Sequence, residues 1–457
     1  MNSTLVTTDA DVRAGYSRDA SGLELIPDAV ARPTTRAEVV ALLAEARRDH
    51  MTVTTAGGQT STTAASLTDC GLLLSLRALD AIHDIDPVAR TVRVEPGAML
   101  GALKRTLAAD GLLLAADPTS EDDCTVGGAV ACNASGARSL RYGAIRSHVR
   151  GLTVALMNGD VIDVRRTSLE KNTVGYAPVH DLVDWFVGSE GTLGVILEVE
   201  LGLLPLPAWV LGMSIPFPTE TAALQFVIAA RESRTLQPRC LEFLDAGAFD
   251  IARTSAGDER WAQSAAALIY TELSGNDHEQ PGLDEWLELA ASCGAMDDDI
   301  RVYDGEAALR DARRLRHAVP ATMHERAAPH RAHGGRRVST DWAVPFHRLG
   351  EALAASRRIV HERGLTQPVT FGHAGNGHPH QNFVARDAAE LERITDAVGA
   401  TLREVIAMGG TVAAEHGIGK IKSRWLPLQM SETQRRMMRA IKNELDPDHL
   451  LAPGNIL

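Results

Sequence analysis

Cysteine, long apolar runs and basic charge are all scarce in this sequence, and each shortage argues against a class of protein. The five cysteines are an odd number and form no C-x-x-C pair, so we expect reduced thiols rather than a disulfide framework. No stretch of about 18 residues is both apolar and uncharged, so we expect no membrane-spanning helix. Lys and Arg number 46 against 59 Asp and Glu, and this net charge of −13 makes a poor partner for nucleic acid.

Targeting and nucleotide-binding signals are also missing. The opening residues, MNSTLVTTDADVRAG, contain neither a basic n-region nor an apolar h-region, so we expect no signal peptide. No G-x-G-x-x-G follows a first strand and no P-loop occurs, which argues against a Rossmann or Walker site. We therefore expect a cytoplasmic protein, while peripheral attachment to a membrane and formation of a homodimer both stay open.

Helix and strand signals alternate along the chain, which favours a fold containing both. Thr35 and Glu38 form a capping box at a helix start, and a β-branched strand over residues 51–55 leads into a glycine loop. Short strands follow until two prolines near residue 207, after which Ala-, Leu- and Arg-rich helical stretches begin. The chain is too long for one ordinary core, so we expect two or three domains.

Four segments are rich in glycine and small polar residues. Glycine lets backbone N–H groups approach a phosphate closely, because it has no Cβ and tolerates positive φ. Each segment alone is an ordinary tight turn. The four segments are residues 56–62, residues 118–128, residues 133–143 and residues 188–194.

In their order and spacing, these segments resemble a family of flavoproteins. The motifs that carry the resemblance, from Arg18 to Leu457, are RDASG, AGGQTST, DPTSEDDCTVGGAVACNASGARSLRYG, GDVIDV, VGSEGTLGVILEVELGLLPLP and LDPDHLLAPGNIL. They are similar to FAD-binding oxidoreductases of the vanillyl-alcohol-oxidase type, in the branch that contains D-lactate dehydrogenase, glycolate oxidase and D-2-hydroxyglutarate dehydrogenase.

The resemblance implies an α+β, two-subdomain FAD-binding fold. Residues 1–207 would form the FAD-binding domain and residues 208–406 an α+β substrate or cap domain. Residues 407–457, which include a helix, would return to the FAD domain.

The resemblance also implies which residues hold FAD. The loop from Gly57 to Thr62 would bind the pyrophosphate, although Gln59 stands where a further glycine is common. No His or Cys occurs in residues 56–65, so we expect non-covalent binding. The residues implied to bind FAD are Gly57, Gly58, Gln59, Thr60, Ser61, Pro118, Thr119, Ser120, Thr125, Gly127, Gly128, Ser135, Gly136, Tyr142, Gly143, Glu190, Gly191, Val195 and Ile196.

A histidine-rich segment, FGHAGNGHPHQN, lies between two β-prone runs. Asn376-Gly377 predicts a hairpin with a type I′ turn. In that register His373 and His380 face each other, with Cβ atoms about 4.5–5.5 Å apart. Two imidazoles at this spacing can share one metal ion. Pro379 cannot donate to the ladder, so we expect that position to be unpaired.

A third ligand is expected in the segment from Gly409 to Lys420, which we interpret as a strand and turn. The resemblance implies that His373, His380 and Glu415 bind a divalent metal, zinc being favoured over manganese or iron, and that His416 is the catalytic base. Asn376 and His378 stand where the family usually has Asp and Asn, so His378 can compete as a ligand.

An arginine-rich stretch covers residues 310–337, where eight Arg meet two acidic residues. Most of it is expected to be a solvated helix face, with a docking surface for a partner or for anionic lipid as an alternative. By position, Arg316 resembles the family's carboxylate-binding arginine, and Arg337 is a weaker candidate.

The resemblance implies oxidation of a small D-2-hydroxy acid to the 2-oxo acid. The metal would chelate the substrate, His416 would take the hydroxyl proton, and hydride would pass to flavin N5. The electron acceptor stays open between a quinone, a cytochrome and an electron-transfer flavoprotein. Two alternatives are a flavin protein without net redox turnover, similar to alkylglycerone-phosphate synthase, and a non-catalytic subunit of a glycolate-oxidase-type complex.

Overall fold

The computed structural model describes residues 5–167, 169–176, 181–276 and 282–457. Its strands are β1 (Val6–Thr7), β2 (Ala29–Ala31), β3 (Val53–Ala56), β4 (Leu72–Ser75), β5 (Ile82–Asp86), β6 (Thr91–Val94), β7 (Leu112–Leu113), β8 (Val149–Ala155), β9 (Val161–Arg165), β10 (Val195–Gly202), β11 (Leu204–Pro205), β12 (Trp209–Phe217), β13 (Cys240–Asp245), β14 (Ala267–Gly275), β15 (Arg301–Asp304), β16 (Arg337–Ser339), β17 (Val369–His373) and β18 (His378–Val384). Its helices are α1 (Ala10–Gly15), α2 (Arg36–Arg48), α3 (Leu100–Ala109), α4 (Val126–Ala131), α5 (Ser139–Tyr142), α6 (Val183–Phe186), α7 (Glu220–Glu232), α8 (Ala246–Ser255), α9 (Leu283–Ser292), α10 (Gly305–Ala327), α11 (Leu349–Glu362), α12 (Ala388–Ala407), α13 (Gly419–Lys422), α14 (Leu426–Gln429) and α15 (Glu432–Leu445).

The chain forms two compact units, which we call the first and the second unit. The first unit contains residues up to Ser135, Gly143–Leu206 and Glu415–Leu457. The second contains Gly136–Tyr142 and Pro207–Ala414. Residues 136–142 and 407–414 thus lie in the second unit, whereas the expected boundaries at 207 and 406 assign them to the FAD-binding and C-terminal parts.

The first unit is built on two main sheets, besides the short two-stranded sheet β11-β7. The smaller main sheet has the order β1-β2-β4-β3, and β4 pairs in parallel with both β2 and β3. Its strand β4 reads LLLS and is buried throughout, as expected of a parallel strand covered on both faces. The second sheet is antiparallel, β5-β6-β10-β8-β9, with the long buried strand β10 at its centre.

Helix starts in the first unit follow local sequence signals. The capping box predicted at Thr35 and Glu38 is confirmed at the start of α2, and the buried residues of that helix recur at helical spacing. The predicted C-terminal helix is confirmed as α15, which Ser431 and Gln434 cap in the same way. A capping box needs only contacts within one turn, so sequence predicts it well.

The second unit has one seven-stranded antiparallel sheet of order β15-β12-β14-β13-β17-β18-β16. Helices α8 and α10 contribute to a core with the inner strands, in which Val319 and Met323 of α10 cluster with Leu244 and Phe371. The α+β class predicted from the sequence is confirmed. No helix of the described residues is long and apolar enough to span a membrane.

The segment from Gly409 to Lys420 does not contain the predicted strand. Only Thr411 makes a β-bridge, to Ala343, and the chain then runs through bends into α13. A side chain added at Gly410 would place its Cβ 2.3 Å from the carbonyl oxygen of Ala343. The segment is therefore held by close backbone contact rather than by a ladder.

Candidate active site

The histidine hairpin forms in the second unit, but in a different register from the one predicted. His373 of β17 pairs with His378 of β18, and His380 pairs with Phe371. The predicted pairing of His373 with His380 was therefore wrong. The turn has four residues, with a 3-10 turn over Ala374–Asn376 and only Gly377 at positive φ, 66°. A type I′ turn needs positive φ at both central residues.

A tertiary contact accounts for this turn. The N–H of Val344 donates to the carbonyl of Gly377 over 3.0 Å. A Cβ at residue 377 would lie 1.9 Å from the carbonyl oxygen of Val344. A neighbouring segment thus crosses the turn closely and requires glycine there. Pro379, expected to be unpaired, is the cross-strand partner of Gly372.

The new register places three histidines on one face of the hairpin. His373 and His378 are opposite each other, and His380 is two residues along β18, so all three side chains share a face. Their ring centroids are 4.5–5.4 Å apart. The three residues are only 4–5% exposed, and one ring nitrogen of each lies within 4.8 Å of the others. This buried group could hold a metal ion.

Each of these imidazoles directs one ring nitrogen at an oxygen of the second unit. Nδ1 of His373 is 2.6 Å from Oε1 of Glu242. Nε2 of His378 is 3.1 Å from Oδ1 of Asp341, and Nδ1 of His380 is 3.5 Å from the carbonyl oxygen of Thr340. Such oxygen partners are typical of metal-binding histidines, because they fix the orientation of the ring.

Glu242 links the cluster to Arg316. Its Oε2 accepts a hydrogen bond of 2.6 Å from Nε of Arg316, whose Nη2 lies 3.4 Å from Nε2 of His373. Burial alone would raise the pKa of Glu242, but the charges and hydrogen bonds of His373 and Arg316 outweigh it and lower that pKa to about 2. Glu242 is therefore a buried carboxylate with two partners.

The rest of the arginine stretch divides as follows. Arg310 and Arg314 have exposed side chains that pair with acidic residues of the same helix. Arg337 is partly buried, and its Nε donates to Oδ1 of Asn382 over 2.8 Å. No carboxylate among the described residues lies within ion-pair distance of Arg337, and burial lowers its pKa. Arg316, Arg336 and Arg337 are thus the three members of the stretch that are partly buried.

A second buried ion cluster, which the sequence did not reveal, lies in the same sheet. Oε1 and Oε2 of the fully buried Glu272 accept hydrogen bonds of 2.6 and 2.8 Å from Arg138. Arg239 donates to Oε2 over 3.0 Å, and the hydroxyl of Tyr270 donates to Oε1 over 2.9 Å. Arg138 belongs to the short segment 136–142, so this cluster attaches that segment to the second unit.

Replacing Glu272 by Gln should destabilise the second unit by about 3–5 kcal/mol, because two buried guanidiniums lose their counter-charge. Burial raises the pKa of Glu272, but Arg138 and Arg239 lower it overall to about 2, below its ordinary value of 4.5. A lowered pKa adds stability above pH 4.5, and this is lost as pH falls toward 2. Urea unfolding should be measured between pH 7 and pH 3. The difference in the free energy of unfolding between wild type and Glu272→Gln should become smaller as the pH falls. Glu259→Gln, at an exposed position, is the control, and an equal effect of both variants at pH 7 would contradict the prediction.

The first unit presents a row of unused backbone donors after β3. The N–H groups from Gly57 to Thr62 donate no hydrogen bond to any described residue. The loop is packed from behind, because a Cβ at Gly57 would meet Oγ1 of Thr125 at 2.3 Å and one at Gly58 would meet the carbonyl oxygen of Asp123 at 2.1 Å. Consecutive free N–H groups on glycine-rich backbone suit a pyrophosphate, so this loop fits FAD.

Other predicted FAD residues lie on elements next to this loop. Thr125 caps α4 and accepts from the N–H of Gly128, while Gly127 packs on Pro96. A Cβ at Gly191 would meet Oγ1 of Thr55 at 2.7 Å. The structure thus brings these residues together in the first unit: Gly57, Gly58, Gln59, Thr60, Ser61, Pro118, Thr119, Ser120, Thr125, Gly127, Gly128, Glu190 and Gly191.

The remaining predicted FAD residues are placed differently. Gly136 and Tyr142 belong to the second unit, and Ser135 and Gly143 to the first. Val195 and Ile196 begin β10 and their side chains are buried in the hydrophobic cores. The side chains of Val195 and Ile196 therefore pack on other side chains of the protein.

Glu190 has a role that the sequence did not reveal. Its buried carboxylate accepts hydrogen bonds from the N–H groups of Ile418 and Gly419, over 2.5 and 2.7 Å. Burial, despite these bonds, raises its pKa. The hydroxyl of Thr63 donates to the carbonyl of His416 over 3.3 Å. The loop that carries Glu415 and His416 is thus attached to the glycine loop within the first unit.

Glu242 and Asp341 could have been found from the sequence. Each is an acidic residue in a run of otherwise β-prone or apolar residues, CLEFL and VSTDWAVP. A buried carboxylate needs a partner, so such a residue predicts a buried cation or imidazole. What the pattern does not reveal is which partner, because His373 is 131 residues away from Glu242.

Comparison with known proteins places these features in a family. The C-terminal domain of FAD linked oxidases matches residues 206–456, and an FAD binding domain matches residues 27–165. The glycolate oxidase subunit GlcD of Bacillus subtilis is 30% identical over 97% of this chain and 92% of its own. The D-2-hydroxyglutarate dehydrogenase of Xanthomonas citri is 30% identical over 94% and 89%, and the D-lactate dehydrogenase of Anaerostipes hadrus 28% over 94% and 89%.

Solved structures support the fold. Two structures of alkyldihydroxyacetonephosphate synthase match with a TM-score of 0.71 at 16% identity, covering 99% of this chain and 82% and 84% of theirs. At this identity the likeness concerns the fold alone. The C-terminal domain match spans more than half of the chain, and relatives at 30% identity cover nearly all of it. The chain therefore belongs to the FAD-linked oxidases, as an FAD-dependent oxidoreductase with the vanillyl-alcohol-oxidase type of fold.

Proposed function

We propose that this protein oxidises a small D-2-hydroxy acid to the corresponding 2-oxo acid, with FAD and a divalent metal. The observation that carries the proposal is the buried histidine cluster beside Arg316. The chain also has a glycine loop whose backbone N–H groups donate no hydrogen bond to any described residue. The names of the relatives support the substrate class, since they include D-lactate and D-2-hydroxyglutarate dehydrogenases and a glycolate oxidase subunit.

FAD is proposed to bind without a covalent link. The free N–H groups from Gly57 to Thr62 would hold its pyrophosphate. Neither His nor Cys occurs in residues 56–65 to form a bond to the flavin. When bound, FAD supplies the acceptor for the hydride, at N5.

The metal is proposed to be held by His373, His380 and Glu415. Glu415 directly follows Ala414, whose N–H donates to the carbonyl of Asp341 over 2.8 Å in the second unit. Two imidazoles and one carboxylate suit zinc, with manganese or iron as alternatives. When bound, the metal supplies a Lewis acid for the substrate's hydroxyl and carboxylate oxygens.

His416 is the proposed base. As neutral imidazole it takes the proton from the substrate's hydroxyl while hydride leaves the α-carbon. Its main chain is held by Thr63 and by the contacts of Glu190 to the next residues of the loop. These hydrogen bonds involve the main chain of the loop, so replacing the side chain of His416 leaves them in place.

Arg316 is proposed to bind the substrate's carboxylate. Changing Arg316 to Met should weaken the binding of acid substrates by roughly 1.5–3 kcal/mol, the contribution of a charge-assisted hydrogen bond. This corresponds to a rise in KM of about 10- to 150-fold. Steady-state kinetics of Arg316→Met and Arg316→Lys should be compared with Arg314→Met, whose side chain is exposed. Unchanged KM and kcat in Arg316→Met would show that Arg316 does not bind the substrate and serves only as the structural partner of Glu242.

The proposed reaction is tested by anaerobic mixing with a panel of D- and L-2-hydroxy acids while the flavin absorbance is followed. We expect one or more small D-acids to bleach the flavin and their L-enantiomers to leave it oxidised. The panel should include lactate, glycolate, malate and 2-hydroxyglutarate. A flavin-loaded protein that no 2-hydroxy acid reduces would overturn the proposal and favour a flavin protein without net redox turnover.

A further inference from the structure

We propose that His378 is a third imidazole ligand, so that one hairpin supplies three nitrogen donors to the metal. This inference rests on the proposed metal site, but it changes the ligand set. Metal binding would then depend chiefly on the three histidines of the hairpin, and Glu415 would strengthen it.

Backbone geometry gives His378 a position at least as favourable as that of His380. His378 is the direct cross-strand partner of His373, whereas His380 is displaced by two residues. The ring of His373 is nevertheless about equally far from both, with centroid distances of 5.4 Å to His378 and 5.3 Å to His380. The ring centroids of His378 and His380 are 4.5 Å apart, the shortest distance within the cluster. A metal ion that binds His373 and His380 therefore lies within reach of His378.

The burial of His378 and the position of its ring also favour it as a metal ligand. His378 is 4% exposed, so its imidazole is buried within the cluster. Nε2 of His378 lies 3.1 Å from Oδ1 of Asp341, close to a carboxylate but without the hydrogen bond that Nδ1 of His373 makes with Glu242. When one nitrogen of an imidazole faces a carboxylate, the other is left as the donor to a metal. Two of the three rings thus lie beside a carboxylate, and the third lies beside a backbone carbonyl.

Charge balance also favours a cation at this position. Glu242 and Asp341 are buried carboxylates that both face the histidine cluster, and Arg316 is the cation paired with Glu242. Imidazoles bind a metal in their deprotonated, neutral form, so as ligands they would add no charge of their own. A divalent ion among them would be attracted by the negative charge of these two carboxylates.

The experiment is a Zn²⁺ titration of the full-length apoprotein against a competing chelator. The variants are His378→Asn, Glu415→Gln and the control His361→Asn, at an exposed position of α11. Loss of a partner outside the ligand set typically costs 10- to 100-fold in metal affinity, so loss of a ligand should cost about 100-fold or more. We expect that loss in His378→Asn, no change in His361→Asn, and a stoichiometric but weaker site in Glu415→Gln.

A second measurement avoids any variant that fails to fold. X-ray absorption of the Zn²⁺-loaded wild type should show three imidazole ligands at about 2.0–2.1 Å. Two imidazoles, or wild-type affinity in a folded His378→Asn, would overturn this inference and leave the proposed metal site intact. A wild type that binds no Zn²⁺ would instead overturn the metal site of the proposed function itself.

Discussion

Replacing His416 by Ala should slow reduction of the flavin by substrate about 10²- to 10⁴-fold, the usual contribution of a positioned general base. Without the imidazole, no group at position 416 accepts the hydroxyl proton as hydride leaves. The measurement is stopped-flow absorbance under anaerobic conditions, at saturating substrate. FAD content should stay at the wild-type level, because the free N–H groups that fit the pyrophosphate belong to residues 57–62.

Two comparisons make the His416 result specific. His361→Ala, on the exposed face of α11, should reduce at the wild-type rate. His416→Ala keeps the backbone carbonyl that accepts the hydrogen bond from Thr63, so thermal stability should change little. A reduction rate within a few-fold of wild type would show that another group takes the proton.

Removing the metal should lower the reduction rate by about 10²- to 10³-fold while the flavin spectrum persists. A Lewis acid at the hydroxyl and carboxylate contributes several kcal/mol to the transition state, and each 1.4 kcal/mol is about tenfold in rate. Arg316, the proposed carboxylate ligand, remains in the metal-free protein, so some substrate binding should survive. The measurement is elemental analysis together with anaerobic reduction, before and after treatment with a chelator.

Metal replacement provides the control. Adding back Zn²⁺, Mn²⁺ or Fe²⁺ separately should restore reduction with at least one of them, and the most effective ion identifies the preference of the site. Elemental analysis that finds no metal in a preparation reducing at full rate would refute the metal's part in the reaction. Arg316 and His416 would then have to activate the substrate alone.

Features set by short-range contacts were predicted well. The capping box of α2 depends on residues three positions apart, and the buried run of β4 depends only on its own composition. The glycine segments were recognised by their order along the chain, which also led to the family. The placing of His373 and His378–His380 in one hairpin followed from the Asn-Gly turn signal, although its register did not.

Features set by distant contacts were not predicted. The register of the hairpin depends on Val344, which crosses Gly377 and favours a four-residue turn over a type I′ turn. The carboxylate beside His373 comes from Glu242 on a neighbouring strand, and the turn signal contains no information about that strand. The strand expected near Glu415 is absent because close packing on Ala343 replaces the ladder.

The sequence by itself determined the α+β class, the family with its flavin, and the residue types available for a metal: imidazoles in one hairpin and a carboxylate further on. Only the tertiary structure decided that His378 faces His373, that Arg316 is paired with Glu242, and that Glu190 holds the loop of His416. The physical reason is the range of the interactions. Periodicity, caps and glycine loops are local, whereas register and the pairing of buried charges depend on which distant segments the packed sheet brings together.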